Sequence, residues 1–128
     1  MVRVYLSVGS NIQREENIRA SLDALTRHFG DLVYSPVYES AAVGFDGDSF
    51  YNLVVGFDTR QDVKTVARIL RDIEDQQQRV RDGIKFGSRT LDLDLILYGD
   101  LVLNDEGVRI PRDEIEKYAF VLQPLADI

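Results

Sequence analysis

Asp92 and Asp94 stand two residues apart in a stretch, Leu91–Tyr98, where leucine alternates with other residues. Leu91, Leu93, Leu95 and Leu97 share one parity, while Asp92, Asp94, Ile96 and Tyr98 share the other. A period of two predicts a strand with the leucines on one face and both carboxylates on the opposite face. Carboxylates at i and i+2 lie about 6.5–7 Å apart at their Cα atoms. Their repulsion is relieved by a raised pKa or by a bound cation. With oxygen donors only, and no cysteine in the chain, magnesium suits the pair better than zinc. Magnesium takes one or two carboxylates and completes its shell with water and substrate phosphates. The same short pattern is equally that of an edge strand with a solvated acidic face.

The residues just before the pair, Gln78–Thr90, are basic. Arg79, Arg81, Lys85 and Arg89 against the single Asp82 give this stretch a charge of +3 in a chain of net charge −7. Cations beside paired aspartates can hold the oxygens of a polyphosphate. Gly83 and Gly87 predict a mobile connection of the kind that closes as a lid. A solvated loop whose arginines serve solubility is the plainer alternative, and it fits less well next to two aspartates.

Arg79-Val80-Arg81, followed by Phe86-Gly87-Ser88-Arg89-Thr90-Leu91-Asp92-Leu93-Asp94, resembles the signature of the 6-hydroxymethyl-7,8-dihydropterin pyrophosphokinases. That family's pattern is approximately R-x-R, a short loop, then W/F-G-P/A-R-T-L-D-L-D-I/L. The likeness extends from Gly9-Ser10-Asn11 to Phe120-Val121-Leu122-Gln123-Pro124-Leu125. It implies transfer of pyrophosphate from the co-substrate ATP to the hydroxymethyl group of a reduced pterin, releasing AMP, in folate biosynthesis. It also implies that Asp92 and Asp94 hold two magnesium ions, and that the catalytic arginines Arg79 and Arg81 close over the triphosphate. Arg89 matches a nucleotide-side arginine. Glu74 matches a conformation-linked glutamate near the nucleotide, and is equally readable as a surface helix charge.

For the pterin, the resemblance points to Ser40, Ala41 and Val43, whose counterparts read the pterin edge through their backbone. Asn52 aligns with an asparagine that bonds the ring, Phe50 with an aromatic, and Phe120 with a stacking phenylalanine. Phe86 matches a loop aromatic that covers the pterin. A flat heterocycle calls for aromatic faces and for an amide offering both donor and acceptor. Without a ligand, Phe50 and Phe120 read as core aromatics and Asn52 as a turn-associated polar group. An asparagine buried within a Phe, Tyr, Leu and Val strand nevertheless needs partners. Two departures stand out. Arg112 follows Pro111 where the family has histidine, and Tyr118 precedes Ala119-Phe120 where it has arginine. Arg112 is still expected to bind the nucleotide phosphates, whereas Tyr118 brings no charge. These changes motivate a second reading, a pterin- or nucleotide-binding paralogue with weak or lost transfer activity or another pterin acceptor.

At 128 residues the chain is one domain, 1–128. The acidic balance argues against a nucleic-acid surface and against an RNA-binding module, which would also need a basic aromatic strand motif. The absence of cysteine excludes disulfides and thiol chemistry. Met1–Ser10 has no signal-peptide core and no run reaches membrane-spanning length. The expectation is therefore a cytoplasmic, monomeric enzyme whose partners are small molecules, with neither nucleic acid nor membrane.

Elements able to position these residues follow from periodicity. Strands are expected at Val2–Val8, Asp31–Glu39 and Phe50–Asp58, besides Leu91–Tyr98. Helices are expected over Glu15–Phe29, capped by Ser10 or Asn11, and over Asp62–Gln77, capped by Asp62. Their inner faces carry Ile18, Leu22, Leu25 and Phe29, and Val63, Val66, Ile69, Leu70 and Ile73. Ser40–Asp48 reads as a turn-rich loop. Leu101–Leu103 with Val108–Ile110 reads as a small hairpin, Asp113–Tyr118 as a short helix, and Ala119–Leu125 as extended. His28, the sole histidine, belongs to a helix C-terminus and reads as structural, so a general base must come from elsewhere. The order β-α-β-β-α-β predicts an α+β, ferredoxin-like core, a mixed or antiparallel sheet with helices packed on it.

Overall fold

The computed structural model describes residues 1–11, 13–40, 50–80, 91–105, 108–110 and 128, excepting the side chains of 40, 50, 78–80, 103–105 and 108–110. Its elements are β1 (Val2–Ser10), α1 (Arg14–Phe29), β2 (Val33–Tyr34), β3 (Tyr38–Ser40), β4 (Phe50–Thr59), α2 (Val63–Val80), β5 (Asp92–Tyr98), β6 (Leu103–Asp105) and β7 (Val108–Ile110). The main sheet runs β2-β4-β1-β5 with β3 also on β4, and every pairing in it is antiparallel. Both helices pack on one of its faces, which makes the fold α+β.

Alternation in β1 and β4 decides which face that is. Val4, Leu6 and Val8 are wholly buried, as are their neighbours Leu53, Val55 and Phe57 to within 2%. They meet Ile18, Ala24 and Leu25 of α1 and Val66, Leu70 and Ile73 of α2 in one core. Phe29 stacks on Phe57 with ring centroids 4.1 Å apart, welding the end of α1 to the sheet. Residues predicted for the inner helix faces are thus where their spacing puts them, with Leu22, Phe29, Val63 and Ile69 at the rim of the core.

The helix ends differ in how well local chemistry foretells them. Asp62 caps α2 as expected, its Oδ1 accepting the Thr65 N–H at 2.7 Å. That bond holds the Asp62 carboxyl below the ordinary range. The predicted cap of α1 is corrected. β1 continues through Ser10, and Gln13 occupies the cap position at φ 42° and ψ 58° without a side-chain cap bond. Ser10 and Asn11 are buried and engaged upstream of that position. Glu15 and Glu16 in the first turn still complement the helix dipole. Gly30, at φ 81°, ends α1 and returns its N–H to Thr26 O at 2.9 Å. α2 runs on to Val80 rather than Gln77, so Glu74 is interior to the helix and not in its last turn.

Two strands also depart from expectation. The stretch predicted as one strand, Asp31–Glu39, is β2 and β3 separated by Ser35-Pro36-Val37. Ser35 keeps the ladder, its N–H reaching Val54 O at 2.9 Å and its Oγ accepting the Val54 N–H at 3.0 Å. Pro36 has no N–H to offer, so pairing lapses until Tyr38. In β5 the register on β1 shifts between the Tyr5↔Leu97 and Leu6↔Leu95 pairs, leaving Ile96 as an extra residue. Beyond this bulge the parity inverts, and Tyr98 rather than Leu97 packs against the helix-side core. The hairpin exists as β6 on β7, its first arm two residues later than predicted. The expected 40–48 loop (beyond Ser40), the 113–118 helix and the extended 119–125 end lie outside the described residues.

Candidate active site

The sheet face away from the helices carries the polar residues. Asn52 pairs with Gly9 and with Tyr38, and Gly9 pairs with Asp92, so Tyr38, Asn52, Gly9 and Asp92 form one row across four strands. In the next row Val54 pairs with Ser7, and Ser7 with Asp94. Two strand spacings separate Asn52 from Asp92, about 10 Å. Between them lies Gly9, which has no side chain to fill the gap. Further along this face Tyr5, Val54, Ile96 and Ile128 form a small apolar cluster that bounds the polar rows.

Asp92 and Asp94 are both half-buried on this face, while Leu91, Leu93 and Leu95 are buried behind them. The pairing of two carboxylates predicted from period two is therefore present. Glu74 approaches from α2. Its Oε2 accepts the Leu93 N–H at 2.9 Å, on the strand edge between the two aspartates. Burial pushes the Glu74 carboxyl up to about 7, the Leu93 bond opposes that push, and the charges of Asp92, Asp94 and Asp75 add to it. The three carboxyls thus concentrate negative potential around one end of β5, a place suited to a cation.

Among the described residues no group of three or more histidine, cysteine or acidic side chains is arranged to enclose a metal ion. Two carboxylates on one face nevertheless fit magnesium, which draws its remaining ligands from water and phosphate. Asn52 is 5% exposed and has a partner, the buried amide that the sequence suggested. Ser40 and Phe50 are register partners at the end of β3 and β4, two positions from the Tyr38–Asn52 pair. Arg79 falls in the final turn of α2. Arg81, Arg89, Arg112, Ala41, Val43, Phe86, Phe120 and Tyr118 lie outside the described residues.

Sequence reasoning passes over Ser7 and Tyr38, which the registers bring beside Asp94 and Asn52. The signal for Ser7 is faint: one hydroxyl at a non-core position of a valine-rich strand. Arg14 is another such residue. Its guanidinium lies 4.0 Å over the Tyr51 ring and 3.2 Å from Glu39, tying α1 to β3 and β4 next to Asn52.

Fold and face together define a small α+β domain that sets a buried amide and a carboxylate pair on opposite sides of one glycine. The chain belongs to the 7,8-dihydro-6-hydroxymethylpterin-pyrophosphokinase family, whose model matches residues 5–128. It is 39% identical to the 2-amino-4-hydroxy-6-hydroxymethyldihydropteridine pyrophosphokinase of Pseudomonas aeruginosa, over 98% of this chain and 80% of that protein. The enzyme of the same name from Haemophilus influenzae is 32% identical over 100% of this chain and 82% of its own length. The folic acid synthesis protein fol1 of Schizosaccharomyces pombe is 37% identical over 94% of this chain, which spans 17% of that longer protein.

Proposed function

We infer that the protein transfers the pyrophosphoryl group of ATP to the hydroxymethyl oxygen of 6-hydroxymethyl-7,8-dihydropterin, in folate biosynthesis. In this reaction the hydroxymethyl oxygen forms a bond to the β-phosphorus of ATP. The bond from that phosphorus to the α–β bridging oxygen breaks, AMP departs with that oxygen, and the alcohol proton is released. The observation that carries the reading is the row Asn52–Gly9–Asp92. It offers an amide for a flat heterocycle about 10 Å from carboxylates suited to a metal–phosphate group. The reach of one fused ring and its substituent matches that gap.

In this reading Asn52 fixes the pterin ring, with Ser40, Ala41, Val43, Phe50, Phe86 and Phe120 around it. Asp92 and Asp94 would hold two magnesium ions, which supply neutralisation of phosphate charge. Arg79, Arg81, Arg89 and Arg112 bind the triphosphate oxygens, and Glu74 braces the aspartate strand from behind. Most of the catalysis is positioning and electrostatics, which needs no histidine. The frame that holds these groups is read as ferredoxin-like, with β2 and β3 counted as one interrupted strand. The antiparallel order and the helices on one face support that. A monomer working in the cytoplasm on small molecules belongs to the same reading. In the described residues no helix is long and apolar enough to cross a membrane.

The test is AMP release from Mg-ATP with the hydroxymethyl pterin, comparing the parent with Asp94→Ala. We expect AMP and pterin pyrophosphate to form together, and the variant to lose both by about 100-fold or more. A parent that binds both ligands yet forms no AMP would overturn the transferase reading, and the replacements at Arg112 and Tyr118 would then mark a binding paralogue.

A further inference from the structure

Eight polar residues are buried among those described: Ser7, Ser10, Asn11, Asn17, Ser21, Ser35, Asn52 and Thr59. Seven have partners. Ser21 bonds Ile18 O, Ser35 bonds Pro36 O and the Val54 N–H, Thr59 accepts the Gln61 N–H, and the other four are engaged. Ser7 is the exception. It is 8% exposed, and its hydroxyl has no hydrogen-bond partner among the described residues. A buried hydroxyl left unpaired costs free energy, so an orphan of this kind calls for an explanation.

Its position supplies one. Leu6 and Val8 are wholly buried on the helix side, so Ser7 points to the other face. There it stands directly opposite Asp94 on one side and Val54 on the other. Directly opposed side chains have Cβ atoms about 4.5–5.5 Å apart, and the diagonal neighbours Asn52 and Asp92 are about 7–8 Å away. A heterocycle held by Asn52 with its substituent directed towards the aspartates must cross Gly9 and end beside Ser7. A hydroxyl presents one donor and two acceptor sites, whereas the two groups directly opposite it, Asp94 and Val54, are a carboxylate and a hydrocarbon.

We propose that the Ser7 hydroxyl is a substrate-contacting group that binds the primary alcohol of the acceptor. Ser7 Oγ accepts the alcohol O–H and donates its own O–H towards the Asp94 carboxylate. The alcohol oxygen is then held with its lone pairs free to face the phosphorus. No covalent step involves the serine. The inference rests on the pyrophosphokinase reading for the identity of the acceptor, and it adds to it a hydroxyl that selects for the reacting alcohol.

The experiment is a binding cycle on the full chain with magnesium and a non-hydrolysable α,β-methylene analogue of ATP. Two pterins are titrated into the parent and into Ser7→Ala: 6-hydroxymethyl-7,8-dihydropterin, and the 6-methyl compound that lacks the alcohol. The parent should prefer the hydroxymethyl compound by about 3- to 10-fold, the worth of one hydrogen bond. Ser7→Ala should bind the two equally, with 6-methyl affinity unchanged. Without ligand, Ser7→Ala should melt no lower than the parent, because no internal bond is lost. A preference that survives in Ser7→Ala overturns the proposal. So does a variant that melts several degrees lower and binds both pterins more weakly by the same factor, since the hydroxyl would then serve the fold. AMP release by the parent reads the transferase assignment separately, so failure of one is told from failure of the other.

Discussion

Replacing Glu74 by glutamine isolates the cost of a carboxylate placed behind two others. Glutamine keeps an oxygen to accept the Leu93 N–H, now at 2.9 Å to Oε2, and removes only the charge. The Glu74 carboxyl is pushed up to about 7, first by burial and then by Asp92, Asp94 and Asp75. In the unfolded chain a glutamate titrates near 4.3, and each tenfold in proton affinity is worth about 1.36 kcal/mol. Full burial would therefore give about 3–4 kcal/mol, but the side chain is part-exposed and screening reduces this to about 1 kcal/mol. The sign follows from proton binding. Between about pH 4.3 and 7 the folded state holds a proton that the unfolded state has lost, so stability falls as pH rises through that window. The assay is thermal unfolding of the parent and Glu74→Gln from pH 4 to pH 8. The two should melt together near pH 4. At pH 8 the variant should be more stable by about 1 kcal/mol, a rise of about 3–5 °C for a chain of this size. A variant less stable than the parent by the same amount at every pH would refute the reasoning, because the carboxylate would then act only as a bond acceptor.

Other outcomes can be stated briefly. A Cβ at Gly56 would lie 2.7 Å from Tyr5 Cε1 and 3.0 Å from Val33 Cγ2. Gly56→Ala should therefore cost about 1–3 kcal/mol in denaturant unfolding, and a Tyr5→Ala background should recover most of it. Arg14→Ala removes both the contact over Tyr51 and the bond to Glu39. It should cost about 1 kcal/mol and raise the pterin KM with little change in kcat, because it loosens the strands that carry Asn52. Steady-state kinetics on that variant would contradict the reasoning if kcat fell while KM held.

Much of this was legible from local patterns. Leu91, Leu93 and Leu95 against Asp92 and Asp94 placed the carboxylates on one face, and the helix spacing of Val66, Leu70 and Ile73 placed α2 on the other. Asp62 announced its own cap. Three of the misses share a cause, since each depended on a neighbour in space. Pro36 breaks a ladder only because β4 lies alongside. The extra residue at Ile96 is set by the pairing with Tyr5 and Leu6 and leaves no mark on a leucine-rich run. Ser7 gains meaning only from the registers that put Asp94 and Val54 on its flanks. Nothing within Val2–Ser10 distinguishes it from a strand hydroxyl facing water.

The bulge at Ile96 bears on how such a site could change over time. Ser7, Gly9, Asn52, Asp92 and Asp94 occupy nodes of one antiparallel lattice, where positions along a strand come only in whole residues. Sliding β5 by one residue would carry both aspartates into the core and bring leucines to the face away from the helices. A single insertion or deletion between Asp92 and Leu95 is thus an all-or-nothing event. Past Ile96 the lattice has already taken up one surplus residue, so the far end of β5 can change length without moving the carboxylates. Variation in this protein line is expected to collect there, downstream of the bulge, while the first three residues of the strand hold their spacing.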